Sequence, residues 1–269
     1  GERYGEYSKG DKIAEYGLTA LVAGGAAVVL AKSGLLGKLL KPLLSFQTQG
    51  QKPNPIIDAL ADDVAGFRVG EIEKAIMREA KASTVPKNSS REDGDVTWSI
   101  WDENSIYHFQ TSILTPYSHM DAVLAELRPI SGQTFVDLGT AYGRPGILIG
   151  AHYPQLQFVG YEFVPQRAAE SQRVLRSLGM NNAQVIEQNL NAANFRPVLG
   201  DYYFIYDYGS TQAIKKSLQD ILEVTAGRKV TVIARGPRTG YIVKSEFPAF
   251  KARGQVGEGS FGSQIFSTR

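Results

Sequence analysis

Asp137, Gly139, Ala141, Gly143 and, one helix length further on, Glu162 are the residues whose types and spacing can do chemistry in this chain. The run Phe135-Val136-Asp137-Leu138-Gly139-Thr140-Ala141-Tyr142-Gly143-Arg144 reads as a buried strand entering a small-residue turn. Phe158-Val159-Gly160-Tyr161-Glu162 reads as a second strand ending in a carboxylate. Small residues at such a turn let backbone amides approach a ligand without Cβ obstruction, and an acid at the next strand end can accept hydrogen bonds from both hydroxyls of a ribose. The pattern predicts an α/β site for an adenosine-containing cofactor.

Spacing separates two cofactor classes. A dinucleotide site needs G-x-G-x-x-G, which seats a diphosphate on a helix N-terminus. Here the order is Gly139-x-Ala141-x-Gly143, with Arg144-Pro145-Gly146 next, and the third glycine is out of register. The segment instead resembles the first motif of the class I S-adenosylmethionine-dependent methyltransferases, an apolar strand ending in D/E-x-G-x-G-x-G. Asp137, Gly139 and Gly143 match it, and Ala141 stands in place of the middle glycine. The resemblance implies S-adenosylmethionine as cofactor, with Asp137 and the 139–143 turn at its methionine end and Glu162 at its ribose. Asn189, in Gln188-Asn189-Leu190, stands where that family commonly has an acidic residue near the adenine amino group. It makes either an amide contact there or a turn. Phe163 either flanks the adenine or closes the core at the strand end.

The acceptor should enter where the fourth strand ends, at Phe204-Ile205-Tyr206-Asp207-Tyr208-Gly209-Ser210. This is not the Asn/Asp-Pro-Pro-Tyr/Phe pattern that positions a nucleobase amine. Asp207 between Tyr206 and Tyr208 suits a cationic or amine acceptor, the carboxylate orienting the amine and the rings stabilising a developing ammonium. In the alternative reading the two tyrosines only cover the sheet end. Upstream, Leu114-Thr115-Pro116-Tyr117-Ser118-His119 precedes a helix. Thr115 or Ser118 caps it, or Thr115 to Tyr117 folds over the donor as a lid. His119 is a base or a structural histidine, and Trp98, Trp101, Tyr107 and Phe109 form an aromatic cluster for core or lid packing.

These residues need a frame, and the chain supplies a regular alternation. A helix to Leu127 is followed by strand 134–139, helix 144–152, strand 158–163, helix 165–178, strand 183–188, strand 202–207, helix 211–224 and strand 229–235. Strands alternating with helices predict a parallel sheet with right-handed crossovers. Segments 250–256 and 260–267, around Gly257-Glu258-Gly259, predict a terminal antiparallel hairpin. The expected fold is therefore α/β: a Rossmann-like seven-stranded methyltransferase sheet closed by that hairpin and preceded by an apolar helix and a helical linker.

Three regions are expected: an apolar membrane-associating segment over 1–46, a linker with amphipathic helices over 47–95, and the methyltransferase domain over 96–269. The apolar run from Gly17 to Ala31 falls short of the roughly 20 residues that cross a hydrocarbon core, and Lys32, Lys38 and Lys41 can snorkel to extend it. Segment 17–44 is thus expected to associate with a membrane, with the domain on the cytoplasmic side. Its lead-in, Asp11-Lys12-Ile13-Ala14-Glu15-Tyr16-Gly17-Leu18, resembles the C-terminal end of a bacterial membrane-anchored family of unknown function. The chain has 43% hydrophobic and 21% charged residues with a net charge of +2, and no Lys/Arg block, so no nucleic-acid partner is expected. Zero cysteines exclude disulfides, thiolate metal sites and a cysteine nucleophile. His108, His119 and His152 show no paired ligand spacing, so no metal is expected.

Taken together, residues 111 to 268 resemble the small membrane-anchored protein-lysine methyltransferases related to those that modify mitochondrial carrier and ATP synthase subunits. The shared features are the element before the first helix, Val136-Asp137-Leu138-Gly139 with Gly143-Arg144, Gly160-Tyr161-Glu162, and Phe247-Pro248 ahead of a hairpin with Gly257-Glu258-Gly259. The resemblance implies methyl transfer to an amine, a lysine of a membrane-associated protein. The rival readings are a small-molecule methyltransferase and a non-catalytic adenosyl-binding or assembly module in which Ala141 marks a degraded site.

Overall fold

β1 (Thr134–Leu138), buried along most of its length, is the centre from which the architecture of the computed structural model is built. The structure describes residues 44, 55–82, 114–259 and 262–268. Most of the 1–46 segment, the 83–95 stretch and the Trp98–Phe109 aromatic cluster lie outside the described residues, though Leu44 is buried in the core. Among the described residues no helix is long and apolar enough to cross a membrane.

From β1 the chain passes through α4 (Arg144–His152) to β2 (Gln157–Glu162), then through α5 (Pro165–Ser177) to β3 (Ala183–Glu187). It returns to the other side of β1 with β4 (Tyr202–Tyr206), α6 (Thr211–Val224), β5 (Thr231–Arg235) and α7 (Pro237–Glu246). The hairpin β6 (Lys251–Val256) and β7 (Ser263–Ser267) completes a seven-stranded sheet of order β3-β2-β1-β4-β5-β7-β6. β7 inserts antiparallel between β5 and β6, and the other five strands are parallel. The expected Rossmann-like sheet with its terminal hairpin is the fold observed. The strand order reverses between β1 and β4, a switch point at whose carboxyl ends open α/β sheets form a ligand crevice.

Each sheet face carries its own core. Phe135, Phe158 and Phe204 pack with α4 and with α3 (Tyr117–Leu127), while Val136, Tyr203 and Val232 pack with α6 and α7 on the opposite side. Helix starts follow local chemistry: the Ser210 hydroxyl accepts from the N–H of Ala213 at 3.1 Å, and prolines occupy the first turns of α4, α5 and α7. α7 was not anticipated: Gly236, Pro237 and Gly240 read as a loop after the fifth strand, and the residue that caps its start, Asp207, is distant in sequence.

Two helices that the sequence reading assigns to a linker, α1 (Pro55–Ala65) and α2 (Val69–Ala82), lie against α3, α4 and α5. Buried charge holds them there. Asp62 of α1 accepts from the Arg144 guanidinium at 2.5 and 3.1 Å and from the Tyr117 hydroxyl at 3.0 Å. Asp58 accepts from the Tyr117 N–H at 3.1 Å. Arg68, between the helices, bonds Glu170 of α5 at 2.8 Å, and Arg173 bonds the same carboxylate at 2.7 Å.

Removing one partner of a buried ion pair strands the other, whereas replacing both with apolar groups is far milder. Asp62→Ala is therefore expected to destabilise the protein by about 3–5 kcal/mol in urea titration, and the pair Asp62→Ala with Arg144→Met by much less. Equal losses in the single and double variants would refute this account of the clamp.

Candidate functional site

The turn after β1 is built from alternate left-handed residues. Gly139 has φ 86°, Ala141 φ 51° and Gly143 φ 70°. A side chain at Gly143 would meet Val185 Cγ2 at 3.1 Å and sit in a strained left-handed conformation, so glycine is favoured there. Ala141 bears a Cβ in a conformation that costs an L-residue about 1–2 kcal/mol. Two bonds hold it: its N–H donates to Glu162 Oε2 at 2.8 Å, and its carbonyl accepts from the Ser171 hydroxyl at 3.2 Å. Alanine at the middle position thus keeps the backbone path that a glycine would take.

Glu162 closes the crevice at the end of β2. Its other oxygen, Oε1, accepts from the Val164 N–H at 2.9 Å, which fixes the plane of the carboxylate. Burial raises its pKa, while Arg167 and the two N–H donors oppose that rise. Asp137, 3% exposed on the neighbouring strand, has no ion-pair partner among the described residues. Burial pushes it up to about 7, the Glu162 charge adding and the Thr140 hydroxyl opposing. Two buried carboxylates thus flank a small-residue turn, and the Arg167 charge acts on Glu162 while Asp137 has no cation of its own, which fits an adenosyl cofactor bearing positive charge near its methionine end.

The α2 helix supports this cradle of turn and carboxylates, a role that the sequence reading missed. Glu73, 1% exposed, accepts from the Tyr142 hydroxyl at 2.7 Å and from Arg167 at 2.8 and 3.1 Å. It therefore grips the glycine turn through Tyr142. It also grips the cation whose charge acts on Glu162. Only the isolated acidic positions on an amphipathic helix hinted at this, and such positions are ordinarily solvated.

The acceptor-side expectations fare differently. Asp207 has φ 30°, and its carboxylate accepts from the N–H groups of Thr239 (2.7 Å) and Arg238 (3.2 Å) and from the Thr239 hydroxyl (2.8 Å). It caps α7, a correction to its expected role at the acceptor amine: a carboxylate taking three donors is poorly placed to receive a proton. Tyr208 lies over Gly139, where a built Cβ would meet its own Cβ at 3.1 Å, and its hydroxyl bonds Ser217. Burial raises that phenol, so Tyr208 stays neutral with its hydroxyl on Ser217. Tyr206 stacks under Arg235, whose guanidinium carbon is 4.9 Å from the ring centroid.

On the donor side, Phe163 is half-buried beside Glu162 and lies outside both cores. Asn189 is exposed, and its side-chain oxygen accepts from the Asn191 N–H at 2.9 Å; the turn reading is the one observed. Thr115 is buried. Tyr117 is a correction to the lid expectation, since its N–H and hydroxyl are spent on Asp58 and Asp62 in α1. His119 stands 2.8 Å from the Ser263 hydroxyl, and burial with the Arg235 charge holds its pKa near 3, so it stays neutral. A separate polar cavity of about 280 Å³, lined by Asp201, Lys229 and Arg253, lies at the amino ends of the strands, opposite the crevice.

Comparisons with known proteins place these features in context. Over 78 residues the chain is 33% identical to the ribosomal RNA small subunit methyltransferase G of Francisella philomiragia subsp. philomiragia, covering 28% of this chain and 38% of that relative. The chain thus spans well under half the length of that curated relative. Similar solved structures include an RNA methyltransferase from Salinibacter ruber in complex with S-adenosyl-L-homocysteine, at 16% identity and TM-score 0.46, covering 58% of this chain and 94% of that one. Another is precorrin-6y C5,15-methyltransferase from Geobacter metallireducens GS-15, at 14% identity and TM-score 0.46, covering 59% and 91%. A family model described as a protein of unknown function (DUF2167) matches residues 1–49.

An acid whose folded pKa is raised holds its proton longer folded than unfolded, so stability falls as pH rises through that window. With Asp137 at about 7 when folded and about 4 when unfolded, the ligand-free protein should lose on the order of 2–4 kcal/mol between pH 4 and pH 8 from this group. Asp137→Asn should remove the part of that slope due to this group in denaturation measured across pH, leaving the part due to Glu162, which has the same sign. An unchanged slope in the variant would refute the assignment.

Proposed function

We propose that the domain binds S-adenosylmethionine at the carboxyl edge of the sheet and transfers its methyl group to an acceptor entering beside β4 and β5. The observation that carries this reading is the bond from the Ala141 N–H to Glu162, which sets a fixed carboxylate against a small-residue turn with the cation-free Asp137 alongside. The cofactor supplies an electrophilic methyl carried on a cationic sulfur. The chain's own residues bind and orient: Glu162 receives the ribose hydroxyls, Asp137 faces the positively charged methionine end, and Phe163 is free to lie along the adenine. Methyl transfer is an in-line displacement, so alignment and exclusion of water carry more of the barrier than any protein nucleophile.

The finer reading is an amine acceptor, a lysine of a membrane-associated protein, with 17–44 on the membrane and the domain facing the cytoplasm. It rests on the resemblance over 111–268 and on the apolar segment. RNA is the second reading, favoured by the name of the curated relative. Engagement of Asp207 in the α7 cap removes the carboxylate that made a lysine attractive.

Calorimetric titration of the full chain with S-adenosylmethionine should show saturable binding, weakened about 10- to 100-fold by Glu162→Ala through loss of charge-assisted hydrogen bonds. Radiolabelled methyl entering the protein fraction of membrane extracts supports the lysine reading, and entry into RNA supports the second. Absence of donor binding overturns both. Glu73→Gln frees Arg167 to pair with Glu162 in competition with the ribose, so it should weaken donor binding about tenfold, and adding Arg167→Gln should restore most of it. A double variant as weak as the single one would show that Glu73 acts only through stability.

A further inference from the structure

One buried cation among the described residues has no carboxylate. Arg144 is paired with Asp62 and Arg167 with Glu73, but Arg235, 4% exposed, makes no ion pair. Its Nε and Nη1 are buried without a hydrogen-bond partner. Buried guanidinium groups are costly unless paired and hydrogen-bonded, so this one is a standing demand for an anion.

Its position says which anion. Arg235 ends β5, in register with Tyr206 of β4 and Ser263 of β7. Asp137 is in register with Phe204 and Ile233, two residues short of Arg235 along β5. The guanidinium therefore stands two strands, about 10 Å, across the carboxyl edge from the donor cradle, on the side where an acceptor would enter. Its neighbours answer the charge only in part: Tyr206 offers a ring face and its phenol oxygen but no carboxylate, and His119 is neutral and bonded to Ser263. The Asp207 carboxylate is taken by the start of α7. The Ser118 hydroxyl, next to His119 at the start of α3, is likewise buried without a partner.

We propose that Arg235 receives an anionic group of the methyl acceptor, a carboxylate or a phosphate oxygen, so that the acceptor carries negative charge close to its nucleophile. The assignment rests on reading the crevice as the donor site, and it narrows the acceptor class. A free lysine ammonium would meet repulsion here, whereas a nucleophile accompanied by its own carboxylate or phosphate would be drawn in. Both unpartnered nitrogens are closed to solvent, so occupancy entails a shift of a packed neighbour to admit the anion.

The test is titration calorimetry of the full chain with sodium phosphate, with sodium acetate and with S-adenosylmethionine at constant ionic strength, on wild type, Arg235→Gln and Arg235→Lys. Saturable binding of phosphate or acetate, weakened about 10- to 100-fold in Arg235→Gln and less in Arg235→Lys with donor binding unchanged, supports the proposal. Phosphate alone assigns a phosphorylated acceptor and acetate alone a carboxylated one. If Arg235→Gln does not fold, Arg235→Lys carries the comparison, a drop of about threefold or more being expected. Neither anion binding, or equal binding in all three proteins, overturns the proposal while saturable donor binding leaves the methyltransferase reading standing. Absence of donor binding overturns that reading and the acceptor assignment with it.

Discussion

The 2.8 Å bond between the Ala141 N–H and the Glu162 carboxylate joins the turn after β1 to the end of β2, and the geometry of the crevice depends on it. Without that acceptor, a non-glycine residue at φ 51° would have little reason to hold the left-handed conformation. With it, the turn is fixed at the point where the strand order reverses, and Glu162 is held at a set angle by Val164 as well. The same bond joins the two elements that a ribose and a methionine end would each need.

That geometry is supported from outside the sheet. Glu73 couples the turn, through Tyr142, to Arg167, while Asp62 couples the start of α4, through Arg144, to the start of α3. Helices α1 and α2 thus bond the same elements that shape the crevice, and they do so with charges that have little exposure to water. Such pairs add modest net stability against an apolar alternative but penalise any other docking of the helices, because misdocking would bury unpaired charge. Their contribution is to specify one arrangement.

The fold was legible because β1 and β2 are apolar runs of strand length set off by a glycine turn, and because α5 and α6 separate their polar and apolar faces. α7 was illegible because its start depends on a cap, Asp207, some thirty residues earlier in the chain. The turn after β1 and its link to Glu162 were legible for a similar reason: Asp137, the turn and Glu162 are local in sequence and are joined largely through backbone. Asp207 and Tyr117 were misread because their neighbours in sequence are not their partners in space. Glu73 and Arg235 carry no motif; only tertiary contacts, or their lack, distinguish them from a solvated acid and a strand-end arginine.

The charges along the carboxyl edge then have a direction. The β1–β2 end holds Asp137 and Glu162, and the β5 end holds Arg235, with Tyr206 and Tyr208 between them. A cationic donor would be attracted to the first end and kept from the second. Methyl transfer to a neutral amine moves one unit of positive charge from the donor sulfur toward the acceptor, and therefore toward Arg235. In a site of low dielectric that movement would be opposed by a bare guanidinium and eased by one already paired with an anion. An acceptor that brings its own negative group supplies that pairing as it binds, so the charge that recognises it is also neutralised before the methyl group moves.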